Sequence, residues 1–160
     1  MRLIIAAVGR LKSGPESTLV EDYSTRLRGV GRGLGFGEFR IVEVEAPKGL
    51  EGAMRRAKES ALLLEATAKG ARLVALDERG RNLSSEDFAK RIAQWRDEGA
   101  GEIAFLIGGA DGHEEALRES ADLLVSFGKA TWPHMLVRAM LCEQIYRAMT
   151  ILSGHPYHRA

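Results

Sequence analysis

Short apolar runs and longer apolar stripes alternate along this chain. Leu3 to Val8 is a continuous run of six apolar residues, as in a strand covered on both faces. Lys12-Ser13-Gly14-Pro15 turns the chain, and Pro15 suits the first position of a helix. From Glu16 to about Arg28, Leu19, Val20, Tyr23 and Leu27 recur at helical spacing. Phe39 to Val44 is aromatic and β-branched and predicts a strand. Glu51 to Lys69 predicts a helix with Met54, Ala57, Ala61, Leu64 and Ala68 on its buried face, Arg55, Arg56 and Glu59 turned away, and Gly70 as its stop. Arg72 to Leu76 is the next strand. Ser84 with Asp87 three residues on resembles a capping box for a helix running to about Asp97, and Glu102 to Ile107 is a further strand. A last strand ends in Ser126-Phe127-Gly128. After the corner Thr131-Trp132-Pro133-His134 comes a long helix striped by Leu136, Val137, Met140, Leu141, Ile145, Met149 and Leu152. That stripe is wide enough for a core face and a subunit interface together. Strands alternating with helices throughout predict an α/β fold with a mainly parallel sheet and helices on both faces. No repeat or linker divides the 160 residues, which are expected to form one domain, 1–160, with its own core.

Composition narrows the function classes. Net charge is +1, so no bulk basic field advertises nucleic-acid binding, and an RNA partner has to be held by a local patch. The single cysteine, Cys142, excludes an internal disulfide framework and fits a reducing compartment. Its place within the helical stripe reads as core, not as a nucleophile. No apolar run approaches the roughly 20 residues of a membrane span. The apolar start is followed at once by Arg10 and Lys12 and reads as a first strand, not as a signal peptide.

The candidate chemistry lies in the last third. Ligands of open α/β sheets sit outside the carboxyl ends of the strands. Three such ends here are polar or glycine-bearing: Leu76-Asp77, Ile107-Gly108-Gly109 and Ser126-Phe127-Gly128. Gly108, Gly109, Gly112 and Gly128 allow backbone to approach a ligand closely. The other glycine-rich stretch, with glycine at 29, 31, 33, 35 and 37, follows a helix and opens a strand. Phosphate loops run the opposite way, so this stretch reads as a connector. His155 and His158 lack the supporting ligands of a zinc site. No GxSxG, P-loop or HExxH pattern occurs, and hydrolase chemistry has no support. Glu143 and Arg147 are spaced for a helical ion pair. Arg138 stands near a helix N-terminus, where a cation opposes the macrodipole, and this hints at an anionic partner. The tail Gly154-His155-Pro156-Tyr157-His158-Arg159 mixes side chains that stack on bases and bind phosphate.

LIGGADG, then ATWPHMLVRAMLCEQIYRAMTILSGHPYHR, with LIIAAVGRLK and VALDERG upstream, resembles the RlmH family of SPOUT-class RNA methyltransferases over nearly the whole chain. The resemblance implies a trefoil-knotted fold, an exception to the rule against knotted chains. It implies S-adenosylmethionine held by Leu76, Gly108, Phe127, Gly128, Lys129, Ala130, Thr131 and Trp132. It further implies a cytoplasmic homodimer without metal or membrane anchor, with each site completed across the interface. The implied substrate is a pseudouridine of large-subunit (23S) ribosomal RNA, methylated at N3 in the assembled ribosome. Arg138, Tyr157, His158 and Arg159 are then expected to orient the base and stabilise charge on it, with His158 or His134 taking the N3 proton. Two rivals remain: a non-catalytic RNA-binding assembly factor, and a SPOUT enzyme acting on transfer RNA.

Overall fold

The computed structural model describes residues 1–159. Its centre is a five-stranded sheet made of β1 (Arg2–Val8), β2 (Glu38–Val44), β3 (Arg72–Arg81), β4 (Glu102–Ile107) and β5 (Leu123–Val125), in the order β2-β1-β4-β3-β5. Every pairing is parallel. Parallel neighbours need crossovers, and helices supply them. These are α1 (Pro15–Gly31), α2 (Gly52–Glu65), α3 (Ser85–Asp97) and α4 (Glu115–Ser120), with α5 (His134–Ser153) closing the chain.

Burial on both faces explains why β1 and β4 read as unbroken apolar runs. Leu3, Ile5, Ala7, Ile103, Phe105 and Ile107 point into the larger core, packed with residues of α1, α3 and α5. Ala6, Val8, Ala104 and Leu106 face the smaller core, closed by Leu63 of α2 and Leu117 of α4. The expected layering, with helices on both faces, is what the chain adopts. Serine 84 caps α3, its hydroxyl accepting from the Asp87 amide at 3.1 Å, although no reciprocal bond completes a capping box.

Three local readings are corrected. Helix α2 does not bury the face its apolar spacing indicates: Met54 is 70 % exposed, while Glu59, Ser60 and Leu63 are buried. That turn of the helix lets two polar side chains reach the loop after β4. Helix α4 has no counterpart in the sequence reading, because at six residues it is too short to show a periodicity. The start of the glycine-rich stretch at 29–37 is helical: α1 runs through Gly31, and a 3₁₀ turn spans Arg32–Leu34.

Strand β3 also runs past Leu76. Its pairing with β5 shifts at a bulge and resumes at Arg81, opposite Val125. Ser126 N–H donates to Arg81 O at 3.0 Å. Gly80 sits in this crossing so tightly that a Cβ would stand 2.5 Å from the Val125 carbonyl carbon. Only glycine lets the two backbones pass there.

Candidate active site at the ends of three strands

Register brings three strand ends side by side: Leu76 of β3 lies opposite Ile107 of β4 and Val125 of β5. The loops leaving them enclose a cavity of about 320 Å³. The β4 loop doubles back on itself, Gly112 N–H donating to Gly109 O at 3.0 Å, with Gly112 at φ +74°. The β5 loop turns at Gly128, φ +102°, where the Ser126 hydroxyl accepts from the Gly128 amide and donates to its carbonyl. The Trp132 indole N–H donates to Phe127 O at 3.2 Å, which fixes the ring while leaving it 40 % exposed.

The lining is mostly backbone and small or apolar side chains, and its charge is one-sided. Asp77, Glu78 and Asp111 line it against a single guanidinium, Arg79. Asp77 is nearly buried and accepts from the Arg79 amide at 2.9 Å. An acidic lining favours a cationic ligand, and a concave, largely preformed surface is what a small-molecule site requires. Of the residues expected to hold the cofactor, the cavity brings together Leu76, Gly108, Phe127, Gly128, Ala130, Thr131 and Trp132. Lys129 is exposed and lies outside the lining.

Of the residues expected to act on the base, His134 lines this cavity and Arg138, Tyr157, His158 and Arg159 do not. Arg138 is fully buried: Nη1 pairs with Glu43 Oε1 at 3.1 Å, and Nη2 donates to Gly9 O at 3.0 Å. The anionic partner indicated by its place on α5 is therefore a carboxylate of the same chain. Burial lowers the Arg138 pKa more than Glu43 raises it. The tail folds back onto α5. Tyr157 hydroxyl donates to Glu143 Oε1 at 3.1 Å and accepts from the Tyr23 hydroxyl, 3.4 Å away. Burial, first, and these neighbours raise its pKa. Arg147 donates from Nε to Glu143 Oε1 at 2.9 Å. His158 Nε2 lies 2.8 Å from Glu86 Oε1, and its Nδ1 lies 3.4 Å from Arg147 Nη1. Since an arginine only donates, Nδ1 is the acceptor there and Nε2 carries the proton towards Glu86. Arg159 is exposed. Cys142 is buried, and its thiol is pushed up to about 12, first by burial, which makes it a poor nucleophile.

A second, larger cavity of about 540 Å³ opens between α1, α3 and α5, with Leu19, Tyr23, Phe88, Leu136 and Met140 on its walls. It shares Val125, Ser126 and Phe127 with the first, so one loop separates the two. The ends of β3 and β4 and the acidic lining belong to the smaller cavity.

The family model described as "Predicted SPOUT methyltransferase" matches residues 1–158. The chain belongs to the SPOUT methyltransferase family. Family membership makes the fold a knotted one, and at Gly80 the backbone of β3 is pressed against that of Leu124 and Val125 at the end of β5. A methyl donor is thus the ligand class for a SPOUT site. Among curated relatives, a protein of Paracoccus denitrificans is 57 % identical over 159 residues, covering 99 % of each chain. One of Xanthobacter autotrophicus is 56 % identical over 160 residues, covering 100 % of each. One of Paramagnetospirillum magneticum is 54 % identical over 159 residues, again 99 % of each. All three carry the name Ribosomal RNA large subunit methyltransferase H, and the resemblance drawn from the C-terminal motif is borne out.

Sequence reasoning passed over several polar residues behind this SPOUT site. Glu59 and His113 are almost fully buried against the β4 loop, and Ser60 bonds to it. Nothing local signals them, since the spacing of α2 points Glu59 outward and His113 merely follows a glycine turn.

Proposed function

We propose that this chain transfers a methyl group from S-adenosylmethionine to N3 of a pseudouridine in large-subunit ribosomal RNA of the assembled ribosome. It works as a single-domain protomer of a cytoplasmic homodimer. The observation that carries this reading is the acidic, backbone-lined cavity at the ends of β3, β4 and β5. It occurs in a chain more than half identical, along its whole length, to relatives named Ribosomal RNA large subunit methyltransferase H. The bound cofactor supplies an electrophilic methyl on a sulfonium, so the protein's task is alignment and a deprotonated nucleophile.

The chain's residues fit that task. Leu76, Gly108, Phe127, Gly128, Ala130, Thr131 and Trp132 hold the cofactor, largely through backbone, while Lys129 lies outside the lining. Asp77, Glu78 and Asp111 complement its positive charge. His134, exposed on the lining at the start of α5, takes the N3 proton in this reading. Tyr157, His158 and Arg159 lie outside their own chain's cavity and serve the site across the dimer, orienting the target base. Arg138 acts from behind by holding the end of β1. The apolar groove between α1, α3 and α5, with Leu19 exposed at its edge, supplies the dimer face. It adjoins the loop that lines the donor cavity.

The test is transfer of labelled methyl to assembled ribosomes, with naked ribosomal RNA and transfer RNA alongside. Label on a large-subunit pseudouridine in ribosomes alone is expected. Label on transfer RNA, or cofactor binding with no transfer to any RNA, overturns the substrate; no cofactor binding at all supports an assembly factor.

A further inference from the structure

His113 is the one histidine in the core, 1 % exposed, and it sits beneath the loop that closes the cavity. Its Nε2 lies 3.2 Å from the carbonyl oxygen of Leu106, next to the end of β4. The Leu76 carbonyl at the end of β3 also faces the ring. Gly108 is pressed against it: a Cβ there would come 3.3 Å from His113 Cε1 and 3.1 Å from the Gly112 carbonyl carbon. The same loop is held from its other side by α2. Ser60 Oγ accepts from the Glu114 amide at 3.0 Å, and the Glu59 carboxylate occupies the space a Gly109 side chain would need. Arg118 of α4 donates to the His113 carbonyl. The segment from Gly108 to Glu114 is therefore tied to three elements, β4, α2 and α4.

A merely space-filling residue does not explain this. The Nδ1 atom is buried without a hydrogen-bond partner, and such an orphan costs about 1–3 kcal/mol. A leucine or phenylalanine fills the same volume without that cost. What the imidazole adds is direction: one N–H aimed at one carbonyl, with the ring plane set against the Gly108 peptide.

We infer that His113 is a positioning residue of the donor site, tying the Gly108–Gly112 loop to the end of β4 so that the cavity keeps the shape the methyl donor needs. The inference rests on the proposed methyl-transfer reading. With the ring in place, the Gly108 and Gly109 peptides are held before the donor arrives, and the loop's ordering cost is met during folding.

Three variants of the full chain test it: His113→Phe keeps the volume without the donor N–H, His113→Gln keeps an N–H at similar reach, and Ser60→Ala cuts the tether from α2. Thermal midpoint, the dissociation constant for S-adenosylmethionine and single-turnover transfer at saturating donor are measured for each. His113→Phe is expected to keep a cooperative transition and weaken donor binding about tenfold, the effect of one lost oriented hydrogen bond. His113→Gln is expected to recover most of that affinity, and transfer at saturating donor to change little. Ser60→Ala is expected to weaken binding in the same direction, and it carries the test if His113→Phe does not fold. Binding by His113→Phe equal to wild type overturns the inference, as does an equal loss in the Phe and Gln variants that follows only their thermal midpoints. Wild-type protein that binds no donor overturns the functional reading beneath it.

Discussion

The glycine-rich stretch at 29–37 and the glycines beside the cavity differ in what surrounds them. The run from Gly29 to Gly37 has glycine at every second position, yet a side chain at Gly29, Gly33 or Gly37 would meet nothing within 4 Å, and only Gly31, 3.3 Å from the Phe36 carbonyl, and Gly35, at φ +85°, are constrained. The β4 loop and the β3 crossing hold fewer glycines, and there the missing side chain is a steric requirement. At Gly80 the neighbour is backbone, and at Gly109 it is a buried carboxylate. Glycine content therefore does not show where glycine is required. What shows it is whether another chain segment occupies the space a Cβ would take.

The strongest way to break this contrast is Gly80→Ala. Its methyl would stand 2.5 Å from Val125 backbone, which has nowhere to go. A loss of about 4 kcal/mol or more, or failure to fold, is expected, at the exceptional end for a single substitution. A denaturant midpoint close to wild type would show that the crossing tolerates a side chain. Gly109→Ala comes next. Its obstacle is the end of the Glu59 side chain at 2.5 Å, which can rotate away at the expense of its pairing with Arg55. A loss of about 1–3 kcal/mol is expected, with a larger fractional loss of donor binding than of stability. Relief by the double variant Gly109→Ala with Glu59→Ala would place the clash on that carboxylate.

Acid should separate the two stretches as well. Burial lowers the His113 pKa, against the raising influence of the Leu106 and Leu76 carbonyls and of Asp77, with Arg118 lowering it further. Glu59 and Glu114 are the other charged groups adjoining the loop. The unfolded chain takes up this proton near pH 6.5, before the folded one does. Stability from the neutral ring is complete above that pH and is lost as the pH falls, at up to about 1.4 kcal/mol per unit until the folded pKa is reached. Urea midpoints at pH 7.5 and 5.5 check this: the difference should shrink in His113→Gln. An unchanged pH dependence in that variant would assign the effect to other groups. The smallest effect belongs to Gly29→Ala, in the last turn of α1 with open space around it. A gain of about 0.5–1 kcal/mol is expected, from helix propensity and a less flexible unfolded chain. Destabilisation there would mean that the first stretch is also spatially constrained.

The same distinction governs what could be read in advance. The strands β1 and β4 were legible because burial on both faces leaves unbroken apolar runs. The α3 cap was legible because Ser84 and Asp87 lie within one turn. Most of the cavity lining was legible through the C-terminal motif. The face of α2 was not, because its apolar spacing competes with Glu59 and Ser60, whose partners lie about 50 residues onward in the β4 loop, as in the Ser60–Glu114 bond at a separation of 54. His113 was not legible either, since a histidine after a glycine turn looks the same exposed or buried.

Local pattern by itself determined the alternation of strands and helices and the three strand ends that line the cavity, because apolar periodicity and chain reversal depend on residues a few positions apart. Only tertiary structure decided which polar groups are buried and what they hold. Arg138 reaches Gly9 across 129 residues, and Glu59 reaches Gly109 through space. Burying a charge or an imidazole is tolerable only where distant segments supply its partners, and those segments meet only when the sheet closes.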